Sequence, residues 1–156
     1  MRAVLCPELG SIDNLVVGER EAPGMIPGGV RVGVRAAGIN FPDILMAEGK
    51  YQVKPALPFT PGLEVAGVVL ECAPGVSHVK PGDRVMAFAR HGGGFAEECV
   101  LPGDIVTPMP DDMDFVTGAA FPVAYGTAHF ALTHRGHLKA GETLLVLGAT
   151  GGVGIA

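Results

Sequence analysis

The chain has 156 residues, with 11 Lys and Arg against 16 Asp and Glu for a net charge of −5. That length allows about one domain and excludes a complete large two-domain enzyme. The acidic balance argues against nucleic acid or an anionic membrane surface as the main partner, since both are bound chiefly through Lys and Arg. Gly (24) and Pro (13) are frequent, yet 48% of residues are hydrophobic, so the composition is that of an ordered, loop-rich domain with a core.

Residues 1 to 110 read as short strands separated by Gly and Pro punctuation. Strands are expected at RAVLC (2–6), LVVGERE (15–21) and VRVGVRAAG (30–38), with the PGMIPGG cluster (23–29) as a turn. The third alternates, placing Val30, Val32, Val34 and Ala36 on one face and Arg31, Gly33 and Arg35 on the other, which is the pattern of a half-buried strand. A short helix is expected from Pro42 to Glu48, with Pro42 at its start and Ile44, Leu45 and Ala47 as its apolar side. Strands resume at EVAGVVLEC (64–72), DRVMAF (83–88), FAEECVL (95–101) and IVTPM (105–109), and PGVSHVKPGD (74–83) is a loop.

After Pro110 the character changes. Acidic residues that favour a helix start lead into small and aromatic residues at helical spacing. Pro122 predicts a break into two helices, the second from about Val123 to Thr133. The sharpest local signal follows: TLLVL (143–147) reads as a buried strand and runs straight into GATGGVG (148–154). A glycine-rich turn after an apolar strand suits a nucleotide pyrophosphate, because the backbone approaches closely and the next helix offers free N–H groups. Ala149, Gly151 and Gly154 hold the three G-x-G-x-x-G positions, with Ala in place of the first glycine. A plain tight strand–helix turn is the alternative.

No long apolar span is present. The tract TLLVLGATGGVGIA covers 143–156, below the roughly 20 residues a bilayer requires. At the other end, MRAVLCPELG is interrupted by Pro7 before a signal-peptide core forms. Cys6, Cys72 and Cys99 are odd in number and widely spaced, which suits neither a disulfide framework nor a zinc site. A cytoplasmic, reducing location is expected.

Four stretches, AAGINFPDILMAEGKY (36–51), PFTPGLEVAGVV (58–69), KPGDRVMA (80–87) and AGETLLVLGATGGVGIA (140–156), together give the chain its family character. In these it resembles the N-terminal part of the medium-chain dehydrogenase/reductase superfamily, in its zinc-free NADPH:quinone oxidoreductase (zeta-crystallin-like) group. The resemblance implies a mainly β fold with some α: a GroES-like, barrel-type catalytic domain over 1–122, followed at 123–156 by the linking helix, first strand and glycine-rich loop of a truncated Rossmann domain.

The same resemblance bears on metal. Where zinc alcohol dehydrogenases of the superfamily carry a Cys after the third strand, this chain has Asn40, and their His before Glu corresponds to Leu63. Neither suits zinc, so no metal is expected. His134 and His137 form an H-x-x-H with no carboxylate or thiolate beside it in sequence, and they read as solvated residues at a helix end.

For the reaction, the resemblance implies NADPH, with NADH as the other candidate, and a small quinone or enone as acceptor. It implies Asn40, Asp43 and Tyr51 as pocket residues, with Asn40 and Tyr51 donating to an acceptor oxygen. It implies Thr127, Ala149, Gly151, Gly152, Val153 and Gly154 as cofactor-binding residues, and a homodimer in a full-length form. Each position has a plainer alternative. Asn40 would cap the short helix, Asp43 would favour the same helix end, Tyr51 would be loop packing, and Thr127 would bond back to its own helix. Two other readings of the whole chain stay open: an enoyl-thioester reductase, and a catalytically silent GroES-like module unable to bind dinucleotide.

Overall fold

A computed structural model describes residues 1–156. Seven strands lie in the first two-thirds of the chain: β1 (Arg2–Leu5), β2 (Val16–Glu19), β3 (Gly29–Gly38), β4 (Glu64–Cys72), β5 (Arg84–Phe88), β6 (Glu98–Pro102) and β7 (Val106–Pro108). Helix α1 (Phe41–Ala47) sits between β3 and β4. Strands β3 to β7 form one antiparallel sheet in the order β6-β3-β4-β5-β7, and β1 pairs with β2 in a second, two-stranded sheet. Bridges from Ala3 to Ala96 and from Cys6 to Phe59 tie the small sheet to the large one.

The expected alternation of β3 carries the core. Val30 and Val32 are fully buried, with Val65, Val69, Val85, Leu101 and Val106 from four neighbouring strands packed around them. Each valine removed from water in this way contributes on the order of 1.5–3 kcal/mol. The strands leave no room for a side chain where β4 passes β3 at Gly67, since a Cβ there would collide with the Gly33 carbonyl.

Two expectations are corrected. Helix α2 runs without interruption over Phe115–Phe130 with Pro122 inside it, and continues as a wider π turn over Ala131–Arg135. A proline in a helix interior costs about 3 kcal/mol, and packing outweighs it. Gly118 and Ala119 are buried against Ala66 and Met109, where small residues let the helix rest directly on the sheet. The N–H after the proline, that of Val123, has its own acceptor in the Glu64 side chain at 2.9 Å. The division expected after residue 122 therefore falls inside a continuous helix.

The second correction concerns TLLVL (143–147), which pairs with no strand. Leu145 and Leu147 are 80% and 85% exposed. An apolar run becomes a strand only when neighbours take its N–H and C=O groups, and no strand of this chain lies beside it. Helix α3 (Gly152–Ile155) follows as a single turn. No helix is long and apolar enough to cross a membrane.

Candidate functional site

The site is built where β3 ends, β4 begins and α2 crosses them. Asn40 follows β3 and adopts the extended backbone of a residue preceding a helix. Its backbone N–H donates to Asp43 Oδ2 at 2.8 Å, one half of a capping arrangement that holds the first turn of α1. The Asn40 side chain also reaches β4: Nδ2 donates to Glu64 Oε1 at 2.8 Å. One residue thus serves both the cap of α1 and a contact to β4.

Asp43 is 4% exposed and joins two loops. Besides Asn40, its Oδ1 accepts from the Gly62 N–H at 3.0 Å. Burial pushes its carboxyl above the ordinary aspartate range, against the backbone N–H groups of Asn40, Gly62 and Leu63, which pull it down. Asp43 also borders an apolar cavity of about 570 Å³ with Val4, Ile39, Ile44 and Phe95 in its walls.

Leu63 is 2% exposed, packed with Cys6, Met46, Ala47 and Phe59. Tyr51 is half-buried and packs against this same cluster. Thr127 lies one turn beyond Val123 on α2 and borders a cavity of about 410 Å³ with Phe88, Pro122, Val123, Gly126 and Phe130.

The glycine-rich segment lies farther along, facing Ala128, Ala131 and Leu132 across a cavity of about 660 Å³. Ala149 falls within its turn. The Gly151 N–H donates to the Gly148 carbonyl at 3.0 Å, and the Ile155 N–H to Gly151 at 2.9 Å. A Cβ on Gly154 would lie on the Gly148 carbonyl, whereas Gly152 faces open space. The N–H groups of Gly152, Val153 and Gly154 belong to the first turn of α3, where a helix has no internal acceptors to offer.

The structure brings Asn40 and Asp43 together directly, and links Asn40 to the Thr127 face of α2 through Glu64. It seats Tyr51 on the cluster containing Leu63, the neighbour of Glu64, and sets 148–154 against the later part of α2 and the π turn after it, at Ala128, Ala131 and Leu132. Glu64 is the residue that sequence reasoning passed over. Its signal was a single acidic residue at the head of the apolar run EVAGVVL.

An antiparallel β-rich body built of β3 to β7 with α1 between β3 and β4 is a GroES-like domain. The chain belongs to the family described as "Alcohol dehydrogenase GroES-like domain", which matches residues 26–111. Among curated relatives, "Quinone oxidoreductase-like protein 2 homolog" of Nematostella vectensis is 45% identical over 156 residues, covering 99% of this chain and 42% of that protein. Among solved structures, a probable oxidoreductase from Mycobacterium abscessus aligns with a TM-score of 0.89 at 45% identity, over 99% of this chain and 49% of that one. The quinone oxidoreductase from Thermus thermophilus, solved also in complex with NADPH, aligns with a TM-score of 0.84 at 34% identity, over 99% of this chain and 48% of that one. The chain spans less than half the length of each of these.

Proposed function

We propose that the chain provides the acceptor-side part of a zinc-free, NADPH-dependent reductase of quinones or related α,β-unsaturated carbonyls. The observation that carries this reading is the pair of residues at the zinc-ligand positions of the superfamily. Leu63 is sealed into an apolar cluster, and the Asn40 amide is engaged by Glu64. A leucine and an amide make a poor ligand set for zinc, but the amide is a neutral donor suited to an acceptor oxygen. The quinone oxidoreductase names among the relatives support the same acceptor class.

The residues of the glycine-rich turn fit a dinucleotide. Gly154 permits a close approach of loop and helix that any side chain would block, and Gly152 leaves its outer side open. NADPH held there would supply the reducing equivalents, as a hydride or as single electrons, and the complex of the Thermus thermophilus relative favours NADPH over NADH. In this reading Thr127 stands beside the nicotinamide, and Ala149, Gly151, Gly152, Val153 and Gly154 form the phosphate turn. The second N–H of Asn40 Nδ2 and the Tyr51 hydroxyl donate to the acceptor oxygen as negative charge develops on it. Asp43 keeps the Asn40 backbone in register with the 60–63 turn. The dinucleotide part begins within α2, from residue 123, and a cytoplasmic homodimer is the form in which the reductase works.

In the protein expressed from its whole reading frame, N40A and Y51F are each expected to lower kcat by about tenfold or more with NADPH and 1,4-naphthoquinone. Unchanged turnover in both refutes the assignment. A second reading is favoured by the unpaired 143–147 segment: the 156 residues alone form a silent module. Titrating NADPH into this chain, followed by nicotinamide fluorescence, decides it, since tight binding removes that reading.

A further inference from the structure

Glu64 is 3% exposed at the first position of β4, and both of its oxygens accept from amides. Oε1 takes Asn40 Nδ2 at 2.8 Å and Oε2 takes the Val123 N–H at 2.9 Å. No buried side-chain nitrogen or oxygen is left without a partner. Space for the carboxyl is provided by Gly38, where a Cβ would lie on it. The position is therefore shaped for a carboxylate, with two donors converging on it from different elements.

Two consequences follow from donor and acceptor chemistry. A carboxylate only accepts, so the Asn40 amide has a single orientation, with Nδ2 turned to Glu64 and its carbonyl on the side of the α1 cap. Val123 and Thr127 are four residues apart on α2 and share a face, so the bond to Val123 also sets where Thr127 stands relative to Asn40. Pro122 and Val123 border the same cavity as Thr127.

We propose that Glu64 is a positioning residue of the reductase pocket, a clamp that orients the Asn40 amide and registers the Thr127 face of α2 against it. This rests on the reductase reading above and assigns the geometry of that pocket to one buried side chain.

E64Q tests it, because glutamine keeps the shape but has a single acceptor oxygen. Its NH₂ must face either Asn40 Nδ2 or the Val123 N–H, and Asn40 relieves the conflict by turning its amide over. In the protein expressed from its whole reading frame, assayed with NADPH and 1,4-naphthoquinone, E64Q lowers kcat by roughly 10- to 100-fold with little change in KM for NADPH. N40A lowers kcat comparably, and E64Q/N40A loses no more than N40A alone, because the effect passes through the amide. An E64Q variant that melts lower but keeps its kcat overturns the proposal, as do losses that multiply in the double variant.

If the wild type reduces no quinone, the reductase reading fails. The clamp is then judged separately from ¹H–¹⁵N spectra of the 156-residue chain. A Val123 amide resonance shifted downfield by its carboxylate acceptor, moving upfield in E64Q together with the Asn40 side-chain pair, supports the clamp. Resonances that stay in place overturn it.

Discussion

The turn that delivers Leu63 and Glu64 depends on Gly62, and G62A is expected to be among the most damaging single-methyl changes in the chain. Gly62 has φ +102, and a Cβ there would lie 2.5 Å from the Phe95 nitrogen, 2.6 Å from Phe95 Cδ1 and 2.8 Å from the Gly94 carbonyl carbon. These backbone atoms cannot retreat freely, since Gly94 N–H donates to the Gly62 carbonyl at 3.0 Å and Phe95 N–H to Pro61 at 2.9 Å. Left-handed backbone in a residue with a Cβ costs roughly 1–2 kcal/mol, and forcing a methyl into filled space costs roughly 1–3 kcal/mol more. The sum is about 3 kcal/mol.

Gly75 separates the two contributions. Its φ is +91, but nothing lies within 4 Å of its Cβ position, so G75A carries backbone strain alone, about 1 kcal/mol. Urea unfolding followed by circular dichroism measures both. With a slope of roughly 1–3 kcal/mol per molar urea, the G62A midpoint falls by about 1–3 M and that of G75A by less than half as much. Equal midpoints for the two variants would refute the collision at Phe95.

Two further outcomes are expected. Asp114 starts α2 by accepting from the Thr117 N–H at 2.8 Å, and this bond, with that to the Thr117 hydroxyl, holds its carboxyl below the ordinary aspartate value of 3.8. A lowered folded value means that its stabilisation is present above 3.8 and is lost as pH falls through the folded value. Thermal melts of wild type and D114A therefore differ at pH 6 and converge towards pH 2, and a constant gap counts against the cap. Burial pushes the Cys99 thiol up to about 12, so at pH 8 a maleimide labels half-buried Cys72 well before Cys99. Mass spectrometry of the peptides checks this, and equal labelling of the two in the folded chain contradicts the burial of Cys99.

How much of this was legible beforehand depends on how far each signal reaches along the chain. Alternation in 30–38 and turn residues at 23–29 and 74–83 act within a few residues, so β3 and its flanking loops were readable. The family motifs placed Asn40 and Leu63, and the poor fit of an amide and a hydrocarbon to zinc was readable from residue type. Glu64 was not readable as a bridge, because its partners are 24 residues before it and 59 after it. Pro122 misled for a related reason: its cost is local, but the packing of Gly118 and Ala119 on Ala66 and Met109 that outweighs it is not.

The sequence by itself determined the β-rich class, the positions of most strands, the glycine-rich turn and the presence of Asn and Leu at the two positions compared with zinc enzymes. Only the tertiary structure decided that α2 is one helix, that 143–147 has no partner strand, and that Asn40, at the cap of α1, also donates its amide to Glu64. Periodicity and turn chemistry are properties of neighbouring residues, whereas the hydrogen-bond partner of a buried amide or carboxyl is set by which distant segments the fold brings within about 3 Å.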